Sequence, residues 1–239
     1  MSTARNAYLS GAHFDYARNR LHLSWAWRED FAIATNCGIA YAYSDDVGRT
    51  WRNSAGAVIA KPGELVRVDS PGVQVWDVGP EWGLDNQDGQ AVDGLGRPHV
   101  LVWHLREPDA TEDNRDASKS RYYHYWRDDD GVWHKHELPH EIGSDRDRLH
   151  PKAIGAPNGD VFCLFNCNGQ ITICAATAAR RYEDWHVIHV EPGPWDGTPL
   201  TDLYRWRDEG VLSIYMQREP AQDRQPTDLY VLDFQVTAG

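Results

Sequence analysis

The chain has 239 residues, 41% hydrophobic and 25% charged, a globular composition that excludes global disorder. No apolar run approaches the ~20 residues that a helical membrane span needs. The formal net charge of −12 argues against nucleic acid as a partner, because phosphate contacts need a basic face. Eleven Trp, eleven Tyr, twenty Gly and thirteen Pro, with few helix-like stretches, point to an all-β, turn-rich protein.

In chain order, one unit recurs. It is an apolar strand opened by a Gly or Pro turn, a variable loop, an aromatic strand, an acidic turn and a closing Trp. The first copy closes at Trp51, the second at Trp133 and the third at Trp185; the fourth stops before any closing Trp. A short segment precedes each copy, so each unit holds strands A, B, C and D, the pattern of propeller blades. The expected blades are about residues 5–55, 87–138, 147–190 and 201–236 of one propeller domain. The segment ahead of the fourth is TDLYRWRDEG, and residues 56–86 are an insertion with a possible strand at VQVWDV. In the third unit, Asn168-Gly169 is a two-residue hairpin signal that sets Cys163 opposite Cys174. Phe162, Leu164, Ile171 and Ile173 then share one face, and Cys163, Phe165, Thr172 and Cys174 the other. Both faces are largely apolar, as a blade between neighbours requires. The two cysteines are expected to be buried thiols, since side chains diverge at a hydrogen-bonded pair.

Four units, the last without strand D, leave three possibilities: a C-terminal piece of a longer propeller, completion by another copy, or a small four-bladed ring. The start at Met1, nearly inside a strand, favours the first.

Ser44-Asp45-Asp46-Val47-Gly48-Arg49-Thr50-Trp51 matches the Asp-box S-x-D-x-G-x-T-W, a C–D turn of sialidase-type propellers. With LHLSWAWRE, NQDGQAVDGLGRPHVLVWH, YYHYWRDDDGVW and DLYRWRDEGVLSIYMQ around it, the chain from about Arg5 to Gln217 resembles the bacterial-neuraminidase-repeat proteins that include ulvan lyases. The resemblance implies the C-terminal part of a seven-bladed propeller of roughly twice this length. It also implies elimination-type cleavage of a uronate-containing, ulvan-like polysaccharide. The Asp-box itself is architectural: Asp46 and Ser44 bond local amides and Trp51 packs between blades.

The B–C and D–A loops emerge opposite the Asp-box turns, and ligands bind where variable loops cluster on a scaffold. β-Elimination needs a group that neutralises the uronate carboxylate, a base for the C5 proton and an acid for the leaving oxygen at C4. His104 ends the second B strand and His124 lies just inside the following C strand. The resemblance implies two catalytic histidines about twenty residues apart in such a strand pair, so these are the base and acid candidates. Arg148, in a D–A loop, is the preferred neutraliser, because a guanidinium binds carboxylate bidentately and stays charged. Tyr204 completes the catalytic set. Arg28, Asn86, Gln87, Tyr122 and Arg205 are the substrate-binding candidates. Recurrence of His22 and His99 at matching positions of two B strands argues for a structural role. His134-x-His136 lacks a third ligand in fixed relation, so no metal site and no cofactor are expected, a structural ion aside.

The expected partner is an acidic polysaccharide, with neither nucleic acid nor membrane; self-association or N-terminal blades would complete the ring. The acidic total repels a polyanion at long range, so binding would rest on local arginines. The alternatives are a sialidase-like glycoside hydrolase and a carbohydrate-binding propeller without turnover. The resemblance implies a secreted or periplasmic protein, although MSTARNAYLSGAHFDY lacks the basic-then-apolar pattern of a signal peptide.

Overall fold

The computed structural model describes residues 5–87, 89–108, 119–139, 150–222 and 225–236. They form four antiparallel sheets arranged as the blades of a β-propeller. Blade 1 comprises β1 (Asn6–Asp15), β2 (Arg20–Arg28), β3 (Asn36–Ser44) and β4 (Trp51–Arg52), joined by β5 (Val58–Ala60) and β6 (Gln74–Trp76). Blade 2 comprises β7 (Gly89–Val92), β8 (Pro98–Leu105), β9 (Ser120–Arg127) and β10 (Trp133–Glu137). Blade 3 comprises β11 (Lys152–Gly155), β12 (Val161–Cys167), β13 (Gln170–Ala176) and β14 (His186–Glu191). Blade 4 has β15 (Trp195–Thr201), then helix α1 (Leu203–Glu209), β16 (Val211–Arg218) and β17 (Leu229–Gln235). The A strands follow one another, β1 against β7, β7 against β11 and β11 against β15.

The central strands β3, β8, β9, β12 and β13 are buried on both sides, which is why they read as near-continuous apolar runs. Asn168 (φ 52°) and Gly169 (φ 74°) both take positive φ and pin the β12–β13 register, with Cys163 opposite Cys174. Both cysteines are buried free thiols. Phe162, Leu164, Ile171 and Ile173 pack against blade 4. Cys163, Phe165 and Cys174 pack with Trp103, Tyr122 and Trp126 of blade 2.

The acidic turns repeat one solution. Asp46 accepts the Thr50 amide (2.7 Å) and the Ser44 hydroxyl (2.7 Å). Asp128 accepts the Val132 amide (2.8 Å) and Asp184 the Thr177 amide (2.8 Å). A carboxylate thereby satisfies turn amides that no strand partner reaches. The closing tryptophans pack toward the preceding blade: Trp133 joins the cluster between blades 1 and 2, and Trp185 that between blades 2 and 3. Trp51 of blade 1 packs differently. Its cluster, with Trp25 and Trp27, is covered instead by Ile59, Val66, Val68 and Val73 of the insertion. The strand expected at VQVWDV is β6, which pairs with β3.

The fourth unit departs from expectation at TDLYRWRDEG, which is not an A strand. Asp202 caps α1, its side chain accepting from the Tyr204 and Arg205 amides, and Gly210 closes it in the left-handed region (φ 68°). The A strand of this blade is Trp195–Thr201, upstream of the expected start.

At the axis, the A–B turns of blades 2 and 3 touch through backbone. Gly94 N–H donates to Ala156 C=O (2.9 Å), and a Cβ on Gly94 would lie 2.1 Å from Pro157 C=O. Gly94→Ala is therefore expected to destabilise the chain by about 1–3 kcal/mol, as an overpacked contact that backbone cannot yield. Urea denaturation checks this, and an unchanged midpoint would show that the two turns do not bear on each other.

Candidate functional site

A strands start, and B strands end, at the loop-bearing end of the ring; the Asp-box turns lie at the other. The expected site residues divide among three regions. His104 and His124 are not brought together. β8 pairs with β9 so that His104 faces Arg121 and Leu101 faces His124. Counting from Arg121, His124 is an odd number of residues away and so emerges on the opposite face of the sheet. His104 lies in the interface with blade 1: its ring stacks on Tyr123 (centroids 3.9 Å), and its Nε2 lies 2.9 Å from the Tyr125 hydroxyl. His124 lies in the interface with blade 3, its Nε2 2.9 Å from His99 Nδ1 and its ring edge-on to Tyr182 and Trp185. Both are 0% exposed, so neither can reach a polysaccharide, and the acid–base pair expected of them is corrected.

Tyr204 and Arg205 sit on α1, at the turn-bearing end, because the segment is helical. Arg205 is held by Asp233 (2.6 Å), Glu209 (3.0 Å) and the Ser213 hydroxyl (2.9 Å) on the outer side of blade 4. Tyr122 is buried, stacked on Phe165 between blades 2 and 3. Arg148 lies outside the described residues. Three candidates remain at the loop-bearing end. Arg28 bonds the Ala32 and Phe31 carbonyls of its own loop and lies 5.1 Å over the Tyr8 ring. Asn86 is buried and donates to Asn36 Oδ1 (3.1 Å), while Asn36 donates to Leu84 C=O (3.0 Å). Gln87 is exposed, with φ 61°.

Beside Asn86 the structure places a pair that the sequence reading had not joined. Asp85 Oδ2 accepts Trp103 Nε1 (2.7 Å) and lies 3.6 Å from His150 Nδ1. The His150 side chain is 34% exposed, against 11% for Asp85. Asp85-Asn86 precedes the A strand of blade 2 and His150-Pro151 that of blade 3. This equivalence of position between blades was the available signal. A carboxylate beside a partly exposed imidazole is an arrangement suited to proton transfer. Among the described residues no group of three or more His, Cys, Asp or Glu is placed to hold a metal ion. His134 is bound to Asp128 (2.7 Å), and His136 packs near His124.

The buried histidines have a measurable consequence. Burial pushes His22 and His104 down to about 3 from the ordinary 6.5, and holds His124 well below it. Neutral in the folded chain, these groups take up protons on unfolding once the pH falls below 6.5. Their stabilising contribution is complete above that value and declines toward about 3, by up to roughly 1.4 kcal/mol per pH unit for each. Urea midpoints should fall between pH 6.5 and 5. His104→Phe should flatten that slope whatever its effect on absolute stability; an unaltered slope would show that His104 titrates alike in both states.

A family model described as BNR repeat-containing family member matches residues 1–141. Among solved structures, the polysaccharide lyase Uly1 superposes with a TM-score of 0.65 at 17% identity, covering 97% of this chain and 46% of that one. An ulvan lyase bound to -[GlcA(1-4)Rha3S]- superposes with a TM-score of 0.59 at 8% identity, covering 95% and 51%. The chain thus spans about half the length of both, and at these identities what is shared is the fold. No curated protein matches the sequence.

Proposed function

Because the chain belongs to the BNR repeat-containing family, we propose that it is a carbohydrate-active propeller that cleaves a uronate-containing polysaccharide by β-elimination at its loop-bearing end. The observation that carries this reading is the Asp85–His150 pair, a partly exposed imidazole 3.6 Å from a carboxylate. Its likeness in fold to two polysaccharide lyases supports the substrate class. In the proposed step, His150 takes the C5 proton. The C–H electron pair forms the C4=C5 double bond as the C4–O bond breaks. The same imidazolium returns the proton to the departing oxygen, a syn elimination that needs one group for both transfers. Arg148, two residues upstream of His150, is the proposed carboxylate neutraliser.

Binding without turnover is the second reading, and the sealing of His104 and His124 inside blade interfaces favours it. Incubation with ulvan separates the possibilities. Ultraviolet absorbance from an unsaturated uronate product marks elimination. New reducing ends without it mark hydrolysis, and association with neither marks a binding module. If elimination is seen, His150→Ala should lower its rate about 10²–10⁴-fold, while a folded His104→Phe chain should retain it. Equal activity of wild type and His150→Ala would remove His150 from the reaction.

A further inference from the structure

A concavity lies at the turn-bearing end of the ring, in the seam between blades 1 and 4. Its volume is about 500 Å³, within the range of small-molecule sites. Its walls are mainly apolar, with Ala12, Phe14, Val92, Ile154, Leu203 and Trp206 contributed by all four blades. Across its mouth the first and fourth blades meet: the Arg207 guanidinium lies 4.6 Å over the Tyr16 ring and 5.2 Å over that of Tyr204.

The charges in this wall are already compensated. Asp15 accepts from Arg18 Nη1 (3.0 Å) and from the Ala17 amide (3.0 Å). Asp93 accepts from Arg97 Nε (2.8 Å) and from the Tyr182 hydroxyl (2.9 Å). Arg207 is held by both oxygens of Asp208 (2.6 and 2.9 Å). A charged ligand would lose its hydration here without gaining an unpaired counter-charge. One wall group stands apart: His13, kept below the usual imidazole range by burial, has no hydrogen-bond partner among the described residues.

We propose that this seam cavity is a binding site for a small uncharged molecule of one or two fused rings that carries a single hydrogen-bonding group, the rings lying among Phe14, Leu203 and Trp206 and the polar group meeting His13. The site is independent of the loop-bearing end and of any reaction there. Aromatic walls supply area at low entropic cost, and the lone imidazole nitrogen fixes orientation.

Calorimetric titration of the full chain with indole tests this, with indole-3-acetate as the charged comparator. Indole should bind at one site, and indole-3-acetate at least about tenfold more weakly. Ala12→Trp and Leu203→Trp fill the cavity from opposite walls, and each should abolish indole binding. His13→Phe should weaken it about fivefold. Cooperative thermal melting identifies the filled variants that are folded, and either one suffices. No saturable heat with the wild-type chain, or indole binding that survives in a folded filled variant, overturns the proposal.

Discussion

The carboxylate of Asp93 is the point on which the packing of blades 2 and 3 turns. It is 3% exposed, yet it serves both blades. Within its own turn it accepts the Leu95 and Arg97 amides (2.9 and 2.8 Å) and Arg97 Nε (2.8 Å). Across the interface it accepts the hydroxyl of Tyr182 (2.9 Å), and His99 Nε2 lies at 3.3 Å. Burial alone would raise its pKa, but the neighbouring His99 and the bonds from Arg97 overcome that and hold it at about 2. A buried charge with this many donors is costly to strand, so the geometry of the turn, the interface and the His99–His124 contact are set together. The close approach of Gly94 to Ala156 lies directly beside it.

The two ends of the blade series are finished differently. A propeller blade presents an apolar face on each side, and blades 1 and 4 finish theirs by different means. Blade 1 covers the face turned away from blade 2 with its own insertion, so Trp25 and Trp27 are only 5% and 4% exposed. The insertion also supplies β6 to β3, completing pairing that the two-residue β4 leaves open. On blade 4, Leu200, Tyr215 and Val231 stand at facing register positions, and Leu200 and Val231 remain 60% and 53% exposed. What joins this blade to the first is the aromatic and guanidinium contact of Tyr16, Tyr204 and Arg207.

Much of this was legible wherever a short turn fixes register. Asn168-Gly169 leaves no choice of pairing, so the alternation of β12 and β13 and the opposition of Cys163 and Cys174 follow from counting. The Asp-box and its relatives were legible for a similar reason, because carboxylate and amide must lie a few residues apart. The placement of His104 and His124 was not, since the loop between β8 and β9 spans more than a dozen residues. Whether two side chains emerge on one face depends on the parity of the pairing, and a long loop conceals that parity. His104 opposite Arg121 puts His124 on the wrong face, whereas a shift of one residue would have put the two together. The segment TDLYRWRDEG failed differently. Its aromatics suggested a strand, but Asp202 and Gly210 are a helix cap and stop, and two terminal signals outweighed a weak propensity.

The same topology explains why the two ends of the ring differ in chemistry. At the loop-bearing end the A strands begin, and in the segments ahead of them Asp85 meets His150 across neighbouring blades while Asn86 bonds Asn36. At the turn-bearing end the A strands finish in tight acidic turns whose carboxylates are consumed by their own amides and arginines. What remains exposed there is the apolar strand surface between the turns. A polar, partly solvated imidazole–carboxylate pair at one end and a compensated apolar hollow at the other thus follow from the direction of the strands. A ligand suited to one end has no reason to suit the other, which makes charge the property that separates them.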